Sequence, residues 1–173
     1  MSLVGMDDNF QQMLKCDVNS VRNNLMDICA TQWHTNLSNF PKLRTYGTFK
    51  STYSTETYIK LNLKRRERSV LAQFRCGILP LRLETGRFVG EPEYQQICRM
   101  CDSGNVENEL HFLVECQFYN GLRNQLFSGL SVTVLNLNNS EKLNILLSEY
   151  SRKTARYLEQ SLTKRRQHLY LNN

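Results

Sequence analysis

The chain has 173 residues and carries 22 lysines and arginines against 16 acidic side chains, a formal charge of +6. That length suits one domain, or one domain with a small appendage, and is enough to bury a core. No apolar run is long enough to span a membrane and no signal-peptide pattern opens the chain, so the six cysteines point to free thiols or metal in a reducing, intracellular setting, nucleus or cytoplasm or both.

The positive charge is a block. Residues 42–87 hold eleven basic against three acidic side chains, residues 1–41 hold two against four, and residues 88–173 balance at nine each. Such a block suits nucleic acid, an acidic lipid surface or an acidic protein, and its simplest alternative is a solvated face.

In chain order, residues 8–37 read as one long helix, with Phe10, Leu14, Val21, Leu25, Ile28 and Trp33 on an apolar stripe. Cys16 and Cys29 read as small packing residues. Cys29 and His34 have a ligand-like separation but no accompanying C-x2-C pair. Asp7 and Asp8 are no polymerase-type aspartate pair, because nothing before them can build the strand such a pair needs. Ser38, Asn39 and Pro41 end the helix. The connection over residues 38–58 mixes Tyr46, Phe49, Tyr53 and Tyr58 with Arg44 and Lys50. Those aromatics either anchor a loop on the core or stack bases. From Arg66 to Cys76 a helix is expected, with Val70, Leu71 and Phe74 as its apolar face and Gly77 and Pro80 as its stop. Lys64, Arg65, Arg66, Arg68, Arg75, Arg82 and Arg87 form a row of cations that could neutralise several phosphates.

The densest pattern follows. Cys98, Cys101, His111 and Cys116 read C-x2-C-x9-H-x4-C. Thiolates and an imidazole at such spacing suit one tetrahedral Zn2+ per chain, and four protein ligands leave no open position, so the ion is structural. Ser103, Gly104 and Asn105 supply a turn. A helix begins near Val106 with Glu107 and Glu109 in its first turn, where acidic residues favour a helix N-terminus. The unit is a cysteine hairpin facing a helix that carries His111, with Cys116 at or near its end. Arg99 is placed to offset part of the thiolate charge.

Beyond it, Phe118, Tyr119, Leu122, Leu126 and Phe127 continue a helical pattern that Gly129 closes. Leu130 to Asn139 is a short strand or an irregular loop. Residues 140–169 form one or two helices with Leu143, Leu146, Leu147, Tyr150, Tyr157, Leu158 and Leu162 buried. Lys164, Arg165 and Arg166 then suit a helix C-terminus. The expected fold is mainly α, a helical domain with an embedded Cys3His zinc knuckle, divided into 1–60, 61–128 and 129–173. The chain shows no Gly-rich phosphate loop, no nucleophile beside a base and no carboxylate cluster for Mg2+, so catalysis is not expected.

The run RSVLAQFRCGILPLRLETGRF, then ICRMC, then VENELHFLVECQFYNGLR, resembles the C-terminal region of reverse transcriptases from animal non-LTR retrotransposons. The positions that carry the resemblance are Leu71, Arg75, Gly77, Cys98, Cys101, Glu107, His111, Cys116, Tyr119 and Arg123, within residues 64–123. The resemblance implies a zinc knuckle that helps hold template RNA or target DNA, with no polymerase palm in this chain. It thus implies a nucleic-acid-binding tail, a fragment or a domesticated remnant. Three functions follow as expectations: an RNA- or DNA-binding module, a protein-interaction scaffold in which zinc only holds the fold, and a non-catalytic accessory part of a reverse transcriptase.

Overall fold

The computed structural model describes residues 18–171. Phe10, Leu14, Asp7, Asp8 and Cys16 lie outside the described residues. The chain divides into two compact units at Asn39 and Phe40. The first contributes helix α1, Val18–Asn39. Thr31, Thr35 and Ser38 each return a hydrogen bond to the carbonyl four residues earlier, so these hydroxyls stay within the helix. The expected helix is present from Val18, the part of it that is described, but none of these residues is buried.

The second unit is all helix and turn among the described residues, with one isolated antiparallel bridge between Ile97 and Val106. Its helices are α2 (Arg44–Phe49), α3 (Arg65–Arg75), α4 (Arg82–Phe88), α5 (Asn120–Phe127), α6 (Val132–Leu135), α7 (Asn139–Ser148) and α8 (Ser151–Leu171). A π-helical turn covers His111–Glu115. No described helix is long and apolar enough to cross a membrane. The mainly α expectation holds, and α6 replaces the expected strand or loop. Ser131 makes that short helix possible, because its hydroxyl accepts the Val134 N–H at 3.4 Å.

Helix α8 is the spine, packing against α3, α5 and α7. Its Ala155, Tyr157, Leu158 and Leu162 meet Leu71 and Phe74 of α3 and Leu146 and Leu147 of α7 in one core with Phe112, Leu113 and Tyr119. Segments separated by the expected breaks after residues 60 and 128 therefore belong to a single packed unit. The physical reason is that α3 and α8 each bury one apolar stripe, and each stripe is the other's partner.

Helix α3 stops as its sequence dictates. The Gly77 N–H reaches the Phe74 carbonyl and the Ile78 N–H reaches Gln73, a Schellman ending that needs the left-handed backbone Gly77 adopts at φ 64°. A Cβ there would lie 2.4 Å from the Lys42 carbonyl oxygen. Helix α7 opens on a reciprocal cap: the Asn138 amide oxygen accepts the Glu141 N–H at 2.9 Å, and the Glu141 carboxylate accepts the Asn138 N–H at 3.1 Å.

Candidate metal centre

The hairpin that carries Cys98 and Cys101 is closed by two backbone bonds, Cys98 N–H to the Asn105 carbonyl at 2.9 Å and Glu107 N–H to that of Gln96 at 3.0 Å. Gly104 takes the left-handed turn position at φ 71°. Asn108 caps the next segment, its side-chain oxygen accepting the His111 N–H at 2.8 Å. The segment then widens. The Cys116 N–H bonds the His111 carbonyl, five residues back, at 2.7 Å.

That wider turn matters for the ligands. In an α-helix, residues five apart point about 140° away from each other. A π-helical turn holds nearly that many residues per turn, so His111 and Cys116 face the same way. The buried Arg123 fixes its end, donating to the Leu113 carbonyl at 3.0 Å and the Cys116 carbonyl at 2.6 Å.

The four ligand atoms lie within 4.8 Å of one another. Cys98 and Cys116 sulfurs are 3.8 Å apart, and the Cys101 sulfur is 3.4 Å from His111 Nε2. A tetrahedral ion with metal–sulfur bonds of about 2.3 Å and metal–nitrogen bonds of about 2.0 Å spaces such donors about 3.8 and 3.5 Å apart. A disulfide would need sulfurs about 2.05 Å apart, so the geometry is that of thiols around a centre. The four residues form a cluster able to hold a metal ion.

The outer contacts fit that role. Sulfur Sγ of Cys98 receives the Met100 N–H at 3.4 Å, and Cys101 Sγ lies 3.3 Å from the Ser103 hydroxyl. Arg99, expected to offset the sulfur charge, is exposed, and these short local contacts reach the sulfurs directly. His111 Nδ1 is buried without a hydrogen bond, yet it sits 3.5 Å from the Glu115 carboxylate. At that distance the interaction is electrostatic rather than a formed hydrogen bond. Hydrogen bonding from Cys116, helped by His111 and the Met100 N–H against the cost of burial, draws the Cys98 thiol down to about 3. Burial opposes charge on His111, but the Cys98 and Cys101 sulfurs outweigh it and hold the imidazole up at about 9. Cys116 is pushed up by its hydrogen bond to Cys98 and by burial. His111 and Cys116 would each release a proton to ligate a metal, so binding there depends on pH. Cys29 is exposed and Cys76 half-buried, and neither joins the cluster.

The seven basic residues expected to meet phosphate are not equivalent. Lys64, Arg65, Arg66 and Arg68 are exposed around the start of α3. Arg75 is buried; it donates to the Leu147 carbonyl and pairs with Glu56, while Phe49, Tyr58 and Tyr46 place their rings 4.3, 4.9 and 5.9 Å from its guanidinium. Its expected phosphate contact is therefore corrected: Arg75 is an internal strut, and Tyr46, Phe49 and Tyr58 anchor on it. Arg82 is mostly buried and paired with Glu91, which takes it out of the solvent-facing row as well. Arg87 is 42% exposed and lies 3.3 Å from Glu84.

The buried ion pairs were not visible in the spacing. Glu107 is fully buried and receives two hydrogen bonds from Arg165, at 3.0 and 2.8 Å, plus the Arg82 N–H at 2.9 Å. Glu109 receives the Arg44 guanidinium and the Thr45 hydroxyl. These glutamates, expected to favour a helix N-terminus, instead tie the knuckle to α8, α4 and α2. Arg165, expected to serve a helix C-terminus, is the cation that pairs with Glu107 in the interior. One signal was available: acidic residues between apolar neighbours, in a segment whose other positions are buried, need a cation somewhere.

The positions that carry the reverse-transcriptase resemblance are thus held by packing, turn geometry, ion pairing or the ligand cluster. Compared with family models, curated proteins and solved structures, the chain matches none, and nothing in those comparisons identifies a retrotransposon reverse transcriptase region.

Proposed function

We propose that the protein is a zinc-stabilised, non-catalytic nucleic-acid-binding module related to the C-terminal region of a retrotransposon reverse transcriptase. Zinc is the ion that three thiolates and one imidazole in a closed tetrahedron suit best, and its contribution is to hold the hairpin against the π-helical turn. The observation that carries binding is the exposed stretch Lys64, Arg65, Arg66 and Arg68. The acid within it, Glu67, is engaged by the Lys64 N–H at 3.1 Å, and Glu159 of α8 lines the same surface. Four cations within five residues offer phosphate contacts that a solvated helix does not need.

Replacing Arg65, Arg66 and Arg68 together with Gln tests this. Affinity for an RNA or DNA oligonucleotide should fall and the salt slope should flatten by about 2–3, with metal content and melting temperature retained. Unchanged affinity sinks the phosphate assignment. A second reading, a protein-binding scaffold, is favoured by a groove in which Phe40, Pro41, Leu43 and Ile78 lie beside the cations Lys42 and Arg87. Elemental analysis of protein purified without a metal-affinity tag should find about one zinc per chain; a folded protein with no bound metal overturns the zinc assignment.

A further inference from the structure

Helices α5 and α8 enclose a surface cleft of about 450 Å3. Its floor is apolar, made by Leu122, Leu126 and Tyr157, and its charged wall is Arg152, Lys153 and Arg156 of α8. No carboxylate lines it. All three cations are exposed.

Two of them are held in place without being neutralised. Arg152 donates to the Asn62 carbonyl at 3.0 Å and Lys153 to the Gly129 carbonyl at 2.7 Å. A carbonyl fixes the side chain and leaves its full charge, so part of the ordering cost of binding is already met. Arg156 makes no hydrogen bond or ion pair among the described residues. It sits one turn beyond Arg152, about 6 Å along the helix. Gln125 and Gln160 add neutral donors and acceptors at the rim.

We propose that this cleft binds a single strand of nucleic acid, with Arg152, Lys153 and Arg156 on phosphates and the Leu122–Leu126 floor under a base or ribose. The inference rests on the nucleic-acid reading above and extends it to a surface that the basic block does not include. Continuity supports one strand across both. Arg152 is bonded to the carbonyl of Asn62, two residues before Lys64, so the cleft's cations begin where the exposed α3 cations end. A concave site with an apolar floor suits an unstacked nucleotide, whereas a duplex presents its phosphates on a convex face. The glutamines could hydrogen-bond a base edge that a duplex would keep paired.

The test uses the full chain and two variants, Arg152→Gln/Lys153→Gln/Arg156→Gln and the single Arg156→Gln. The single change removes no hydrogen bond or ion pair of the fold, so it stays informative if the triple variant misfolds. Fluorescence anisotropy with labelled single-stranded RNA, single-stranded DNA and duplex of equal length, across a salt series, gives the readout. The expected result is a loss of roughly tenfold or more in single-strand affinity for the triple variant, with a salt slope lower by about 2–3, and a slope lower by about 1 for the single variant. The RNA and DNA arms decide which strand is preferred. Variants as tight as the parent, in a protein whose α3 substitutions do weaken binding, overturn the cleft and leave the α3 reading intact. A parent chain that binds no oligonucleotide overturns both. Cleft-dependent binding to vesicles containing about one-third anionic lipid, without oligonucleotide binding, assigns the cations to a membrane surface and also overturns the proposal.

Discussion

At Glu107 a fully buried carboxylate meets Arg165 across 58 residues of sequence. Burial alone would make Arg165 easier to deprotonate; Glu107 outweighs that and raises its pKa. Glu107→Gln strands the guanidinium inside the core, and the expected cost is about 3–5 kcal/mol in denaturant unfolding. Adding Arg165→Met to Glu107→Leu should recover a large part of the loss, since an apolar pair of similar volume carries no desolvation penalty. A Glu107→Gln protein within about 1 kcal/mol of the parent would show that water reaches the pair. Arg75 obeys the same rule in a different setting. Ringed by Phe49 and Tyr58 and paired with Glu56, it differs from Arg65 in surroundings and not in residue type. A row of arginines in sequence therefore reads as one surface, whereas burial divides it.

Among the elements, what was legible was local. Helix α3, its stop at Gly77 and the helical character of residues 140–169 follow from apolar spacing and turn residues over short distances, while these leave the break between α7 and α8 open. The Cys3His set was legible because all four ligands fall within nineteen residues and their chemistry is specific. The π-helical turn was half-legible: H-x4-C cannot point two ligands inward from an α-helix, so either the helix ends or its pitch changes. Helix α6 was hidden because Val132, Thr133 and Val134 favour strand, and the Ser131 cap outweighs that preference over one turn. Caps of this kind have measurable weight. Asn138→Ala should cost about 1 kcal/mol, read from the denaturation midpoint, and the loss should not add to that of Glu141→Ala because both remove one reciprocal pair. Additive losses would mean that the two bonds form independently.

In the second unit the ligand cluster and the helical core share residues, because Phe112 and Leu113 lie in the core between His111 and Cys116. Chelation should therefore lower the melting temperature by about 8–16 °C relative to protein with free ion at a thousand times its Kd, the equivalent of about 4 kcal/mol. Hydrogen exchange should show protection lost first across residues 95–120. Cys101→Ser and His111→Ala should reproduce that pattern without chelator. A metal-free protein with unchanged protection there would show that the hairpin holds itself together.

The distance in sequence between Glu107 and Arg165 also sets an order of events during synthesis. At about 5–20 residues per second, the carboxylate leaves the peptidyl-transferase centre roughly 3–12 seconds before its partner is made. Within that interval the proposed zinc could already be bound, because all four candidate ligands precede residue 117. The apolar stripe of α3 cannot be covered, because Leu158 and Leu162 are still unmade. The nascent chain would thus pass through a state with its ligand residues assembled and an open core, and α8 is the helix that closes it.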